Sequence, residues 1–278
     1  MFRTVRDAFK VKEIRQRLFF TFLMLIVVRI GSQLPLPGVD PDVFQKLFGN
    51  TGDSLNFFNA LTGGSFEQMS VFALSITPYI TSSIIIQLLT ISFPKLEEMQ
   101  RDGEEGRKKL NRLTRYVTIL LSVIEALAMA IGFGRSGYLS HFNFPYVLMM
   151  VAVLTAGATA LMWIGERITK NGVGNGISIV LVINIVSRLP QDVTTLYNQF
   201  IKGQTIARGI LYGAIIVAII VGIVVLVVIL QCAERRIPVQ YSRKLQGVGR
   251  ASYSAANSTY IPLKVNTGGV IPVIFAQS

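Results

Sequence analysis

Charge, cysteine and histidine are what this sequence is short of. Charged residues make up 15% of its 278 positions, where a soluble domain carries about a quarter. A single cysteine, Cys232, permits no internal disulfide, and a single histidine, His141, cannot build a multi-histidine metal site. Redox and zinc chemistry are therefore not expected, and neither a metal nor a cofactor is implied. Catalytic groupings are equally thin: no paired carboxylates share a helix face, and no Ser/His/Asp set assembles around His141. No catalytic residue and no enzyme activity are expected. No cleavable signal peptide is expected, since residues 1–17 are amphipathic and basic and the first apolar run has no small-residue cleavage site before Pro35-Leu36-Pro37.

What is abundant is apolar. Hydrophobic residues reach 51%, and the mean hydropathy is +0.52. Crossing about 30 Å of hydrocarbon takes roughly 20 residues at 1.5 Å each. Runs approaching that length cover about 18–34, 71–93, 116–133, 146–164, 177–189 and 209–231, and a seventh starts near 268 and is still running at Ser278. An all-α polytopic membrane protein is expected, with the chain stopping inside its seventh helix as a fragment would.

The 27 Lys and Arg against 15 Asp and Glu are unevenly placed. Arg3, Arg6, Lys10, Lys12, Arg15 and Arg17 precede the first run, a cluster from Lys95 to Arg115 follows the second, and Arg167 and Lys170 follow the fourth. Residues 232–267, after the sixth run, add Arg235, Arg236, Arg243, Lys244, Arg250 and Lys264 with Glu234 alone to offset them. The other side has Lys46, Arg135, Arg188, Lys202 and Arg208. This asymmetry puts the N-terminus in the cytoplasm. For the first two basic segments, fixing topology is explanation enough; the longer 232–267 loop also suits an anionic partner, RNA or lipid headgroups.

The second run raises a question, because it is prefaced by Gly63-Gly64 and Glu67 and carries Pro78 and many Ser and Thr. The apolar piece before it, with Phe57, Phe58, Leu61 and Phe66, is too short to cross. Paired glycines weaken a continuous helix by about 1 kcal/mol each. A short half-helix that re-enters the membrane is expected, followed by a true span from about Ser75. Backbone broken at membrane depth survives only inside protein or beside a water-filled cavity, so the break implies a cavity. On that span Ile80 and Ile84 share a face, while Thr77, Thr81 and Gln87 lie around it. Taken alone, such hydroxyls are ordinary helix glue.

In the fifth run, Gly172, Gly174 and Gly176 lack the Lys-Ser/Thr of a phosphate loop and predict a tight cytoplasmic turn instead. The run that follows, about 177–189, is short for a span and suggests a thinned or aqueous interior. Of the charges within spans, Arg29 lies near an end and can snorkel, and Trp163 is an interfacial aromatic. Glu125 falls mid-span, where a polar contact at a helix interface is the expected role.

The segments "FALSITPYITSSIIIQLL", "RKKLNRLTRYVTILL", "LMWIGERITKNGVGNGISI", "ERRIPVQYSRK" and "STYIPLKVNTGGVIPVIFA" closely resemble, in order, those of the bacterial SecY family, the central subunits of the protein-translocation channel. The resemblance covers most of the chain and implies a SecY-type channel bundle with a re-entrant plug half-helix. Residues 18–189 would form the N-terminal half and 190–278 the start of the C-terminal half. It makes residues of about 57–69 the plug, with Phe57, Phe58, Leu61, Gly63, Gly64 and Phe66. It makes Ile80, Ile84, Leu181, Ile185 and Ile274 the pore ring, Leu181 replacing the usual isoleucine. It places Thr77, Ser83, Gln87 and Glu125 at the lateral gate, Glu125 where the family often has Gln, and Arg235, Arg236, Arg243 and Lys244 in the partner-binding loop.

The implied function is conduction of unfolded secretory polypeptides and lateral release of transmembrane segments into a bacterial plasma membrane. The implied partners are SecE-type and SecG-type subunits, the SecA motor, the ribosome through its RNA and proteins, the nascent chain and the lipid bilayer. A secondary transporter also uses broken helices and an intramembrane carboxylate, but it needs convergent polar groups where Ile and Leu stand here. A scaffold that recruits RNA through its basic loop needs neither plug nor broken helix.

Overall fold

The computed structural model describes residues 9–37, 39, 59, 62–135, 143–202, 206–238 and 260–266. Phe57, Phe58, Leu61, Arg243, Lys244, Ile274 and the seventh apolar run lie outside the described residues. The elements in chain order are α1 (Lys12–Ser32), α2 (Thr77–Ser92), α3 (Pro94–Arg101), α4 (Gly103–Arg135), α5 (Phe144–Asn171) and α6 (Gly176–Leu196). A π-helical turn (Tyr197–Ile201), α7 (Ile206–Cys232), β1 (Glu234–Pro238) and β2 (Tyr260–Lys264) follow. The chain divides into two compact units, 1–193 and 194–278.

In the first unit α4 packs along α5 and against α2 and α3, and α1 lies on α5. The seam is made by small residues: Thr114, Thr118, Ser122, Ala126, Ala130 and Gly134, four apart on α4, are all buried. Lipid tails are as apolar as leucine, so close backbone approach and van der Waals packing hold such helices together. Several hydroxyls on these helices bond back along their own helix. Thr118 Oγ1 donates to the Thr114 carbonyl at 2.7 Å, Ser82 to Pro78 at 2.6 Å and Thr90 to Ile86 at 2.7 Å, each four residues back on its own helix. On α5 Leu154, Leu161 and Ile168, seven residues apart, are 0% exposed.

The helix expected from about Ser75 starts two residues later. Of 71–93, residues 71–76 run in turns and the helix begins at Thr77. Pro78 does not break a span; it sits in the first turn of α2, where its missing N–H has no helical partner to lose. The 16 residues of α2 reach about 24 Å, short of the hydrocarbon core. The chain then bends by 103° into α3, whose first residue is Pro94.

The fifth run is the opposite case. The sequence ends it at Leu189 before Pro190, yet α6 continues through Pro190 to Leu196 and the π-helical turn to Ile201, 26 residues in all. One proline removes one ladder bond, a loss that a membrane helix tolerates. The thinned interior inferred from a short fifth span therefore has no basis in its length. The glycine turn before it is as expected: Gly174 has φ +69°, Val173 N–H donates to Thr21 Oγ1 at 3.2 Å, and Gly176 N–H donates to Thr169 Oγ1 at 2.9 Å. These amides are occupied by side chains, so they do not form a phosphate cradle.

Among the described residues, four helical stretches are long and apolar enough to cross a membrane: Gly103–Arg135, Phe144–Asn171, Gly176–Ile201 and Arg208–Cys232, with the bent α2–α3 pair as a fifth. The first run, within α1, is not among them. Its uncharged stretch between Arg17 and Arg29 rises only about 17 Å. In the second unit α7 buries none of its described residues and is apolar on every face, as a lipid-facing span is. The basic loop 232–267 contains an antiparallel ribbon pairing Glu234 with Lys264 and Ile237 with Ile261.

Candidate functional site: the seat of the re-entrant segment

The segment from Gly63 to Ile76 holds no helix, and its burial is what organises the first unit. Its side chains feed two apolar clusters. Met69, Ala73 and Leu74 join Ala126 and Ala130 of α4 and Met150, Val151, Leu154 and Ala158 of α5. Phe72 and Ile76 join Val28 of α1, Leu161, Ile164 and Ile168 of α5, and Val180 of α6. Gly157 faces Val71 so closely that a Cβ there would collide with the Val71 carbonyl oxygen.

A buried non-helical backbone must place its polar groups. Leu36 N–H donates to the Met69 carbonyl and Val71 N–H to the Leu34 carbonyl, both at 2.9 Å, which ties the segment to the chain leaving α1. Ser70 N–H bonds the Ser65 carbonyl at 2.9 Å, and Ala73 and Ser75 close tight turns on Ser70 and Phe72. Met69 and Ser75 accept positive φ, 43° and 52°, a strained conformation for non-glycine residues that persists where packing over-determines it.

Asn59 and Thr62 are helical. Gly63 then turns left-handed with φ +68°, and Gly64 N–H reaches back to the Asn59 carbonyl at 3.0 Å, the closing bond of a glycine C-cap. The half-helix expected to run to about residue 69 thus ends at Thr62, because the paired glycines terminate it.

Beyond the cap, polar groups gather against α6. Glu67 Oε2 accepts from Asn59 Nδ2 at 2.6 Å and from Arg188 Nη2 at 3.4 Å, and Glu67 N–H donates to Asn59 Oδ1 at 3.2 Å. One helical turn from Arg188, Asn184 Nδ2 donates to Ser75 Oγ at 3.4 Å. Asn59 is 1% exposed and Asn184 3%. None of these four, Asn59, Glu67, Asn184 and Arg188, stands among the site residues expected from sequence, which places Arg188 with the charges outside the membrane. The available signal is Asn184 and Arg188 standing four apart in an otherwise apolar run.

Of the expected ring residues, Ile80 and Leu181 pack against the same apolar cluster around Ile76 and Val180. Ile84 is buried and Ile185 is 40% exposed. Of the expected plug residues, Gly63 touches α6 at Asn184, while Phe66 stacks at a tilt on Phe133 of α4, ring centroids 6.3 Å apart, away from Ile80 and Leu181. Thr77, Ser83 and Gln87 lie on α2, progressing from half-buried to exposed, and Glu125 is half-buried on α4, the helix packed against α2. Arg235 and Arg236 stand exposed on β1, the Arg236 guanidinium 4.8 Å from the centroid of the Tyr260 ring.

Several membrane-length helices, and a buried non-helical segment packed among those of the first unit, define a polytopic membrane protein. Comparison with known proteins narrows that class. The SecY family model matches residues 70–278. A protein translocase subunit SecY from Pseudomonas aeruginosa is 42% identical over 274 residues, covering 96% of this chain and 60% of its own length. The same subunit from Halalkalibacterium halodurans is 43% identical over 283 residues, covering 100% of this chain and 65% of its own. A solved protein-conducting channel gives a TM-score of 0.64 at 20% identity, covering 98% of this chain and 60% of that one. Sec61 in the canine ribosome–channel complex gives 0.63 with the same identity and shares. The chain belongs to the SecY family, and it spans 60% to 65% of the length of these relatives.

Proposed function

We propose that this chain is the N-terminal portion of the pore-forming subunit of a bacterial Sec translocon, with no enzyme activity of its own. Unfolded secretory polypeptides pass through a ring to which Ile80, Ile84, Leu181, Ile185 and Ile274 contribute. Apolar segments leave sideways past Thr77, Ser83, Gln87 and Glu125 when lipid suits them better than water. Branched apolar side chains close around nothing or around an extended chain, and such a constriction blocks ions by dewetting. The protein sits in the plasma membrane with its N-terminus in the cytoplasm, beside SecE-type and SecG-type subunits. Arg235, Arg236, Arg243 and Lys244 meet the ribosome or the SecA motor, which supplies the energy.

The observation that carries this reading is the re-entrant segment itself: residues 63–76 lie unwound inside apolar helices, directly before the helix that bears Ile80 and Ile84. A plug and a ring in sequence are what a resting conduit needs. Replacing Ile80 and Ile84 with Asn in the full-length protein tests it by conductance across planar bilayers. The substitutions hydrate the constriction, so ion leak rises; unchanged leak from a correctly inserted variant overturns the reading.

A further inference from the structure

We propose that Asn184 and Arg188 of α6 form a polar latch that grips the re-entrant segment through Ser75 and Glu67, and that the strength of this latch sets how readily the plug leaves its seat. The proposal rests on the channel reading above.

Three features carry it. Glu67 and Arg188 form an ion pair at 3.4 Å with side chains 21% and 17% exposed, so each charge is poorly solvated if the other departs. Asn59 holds the carboxylate from the other side, donating to the same Oε2 at 2.6 Å and accepting the Glu67 N–H at 3.2 Å. Glu67 is thus presented to α6 by its own segment and is not a loose side chain that happens to reach an arginine. Backbone proximity completes the grip: a Cβ on Gly63 would sit 2.7 Å from the Asn184 carbonyl oxygen, so the segment docks against the same turn of α6 that carries the polar pair.

The latch is also breakable. Arg188 Nε and Asn184 Oδ1 are buried without a hydrogen-bond partner, and both bridges to the segment, Asn184–Ser75 and Arg188–Glu67, are 3.4 Å long, beyond the optimum of roughly 2.9 Å. A saturated network of short bonds would make a permanent joint. Two long bridges with unspent donor and acceptor capacity make a seat that holds at rest and yields to a modest competing interaction. Polar residues on an apolar helix are costly, and a merely structural span has no need of Asn184 and Arg188.

The test is a charge swap in the full-length protein, purified with the subunits that accompany it and measured as ion conductance per channel in planar bilayers. Glu67→Arg and Arg188→Glu each place like charges at the latch, and leak rises about tenfold or more, the factor that about 1.4 kcal/mol of lost closed-state stability produces. The double variant Glu67→Arg with Arg188→Glu restores attraction and returns leak toward the parent value. Glu67→Gln keeps size and removes charge, and Arg188→Gln removes charge on a shorter side chain; both raise leak by a smaller factor and serve if a reversal prevents insertion. Leak at the parent level in both Gln variants, or a double variant as leaky as its singles, overturns the latch. Ile80→Asn runs alongside: leak there with silent latch variants refutes the latch alone, while silence in every variant refutes the channel reading too.

Discussion

Gly63 meets two demands at one backbone position. Its φ of +68° closes the helix that carries Asn59, and its missing side chain lets the segment touch the carbonyl of Asn184. Alanine there incurs a left-handed conformational penalty of about 1 kcal/mol and also pushes the segment off α6. Gly64, with φ +85° but open space around it, incurs the conformational penalty alone. Gly63→Ala is therefore expected to raise ion leak more than Gly64→Ala, measured by the same conductance assay. Equal effects would mean that backbone geometry, and not the approach to α6, is what the glycine serves.

At the scale of elements, the seam between the re-entrant segment and α5 is closely packed. Gly157 leaves no room for a side chain beside the Val71 carbonyl, and overpacking a core typically costs about 1–3 kcal/mol. Gly157→Leu should lower the temperature at which the purified protein loses its folded state, followed by protease resistance on heating. Ala152→Leu on the same helix is exposed and should leave that temperature unchanged.

The legibility of the sequence divides along the same lines. The apolar runs, the basic loops between them and the broken stretch before Thr77 could all be read directly, because each is a local pattern of solvent preference. Helix ends were less legible: Pro190 reads as a stop, yet the bundle tolerates it, and Pro78 reads as an interruption, yet it opens a helix. The seat could not be read at all. Glu67 and Arg188 are 121 residues apart, and no periodicity links a carboxylate in a turn to an arginine at the far end of an apolar run. The ribbon was hidden for another reason, since "ERRIP" and "YIPLK" each carry a proline, a residue that ordinarily argues against a strand.

For the molecule as a whole, the separation of functions follows the charge map. In the proposed reading apolar side chains make the conduit, and the cations of the loops meet its partners. The ribbon presents Arg235 and Arg236 where a polyanion can reach them. Arg235→Glu with Arg236→Glu should weaken binding to purified ribosomes and flatten its dependence on salt, by a slope of about one for each phosphate left without its cation, without altering the resting leak. A changed leak would place these residues in the channel's own packing.

The central claim is that a polypeptide passes between α2 and α6 at the ring. The most direct measurement stalls a translocating chain halfway through the full-length protein, with Cys232 replaced and single cysteines placed at Ile80, Ile84, Leu181 and Ile274. Disulfide crosslinks to a cysteine in the stalled chain are then mapped. Crosslinks concentrated at these four positions and absent from exposed α7 controls such as Val225 are the predicted result. A chain that reaches the far side with no crosslink at any of the four would contradict it, and Ile80 and Leu181 would then be packing residues and nothing more.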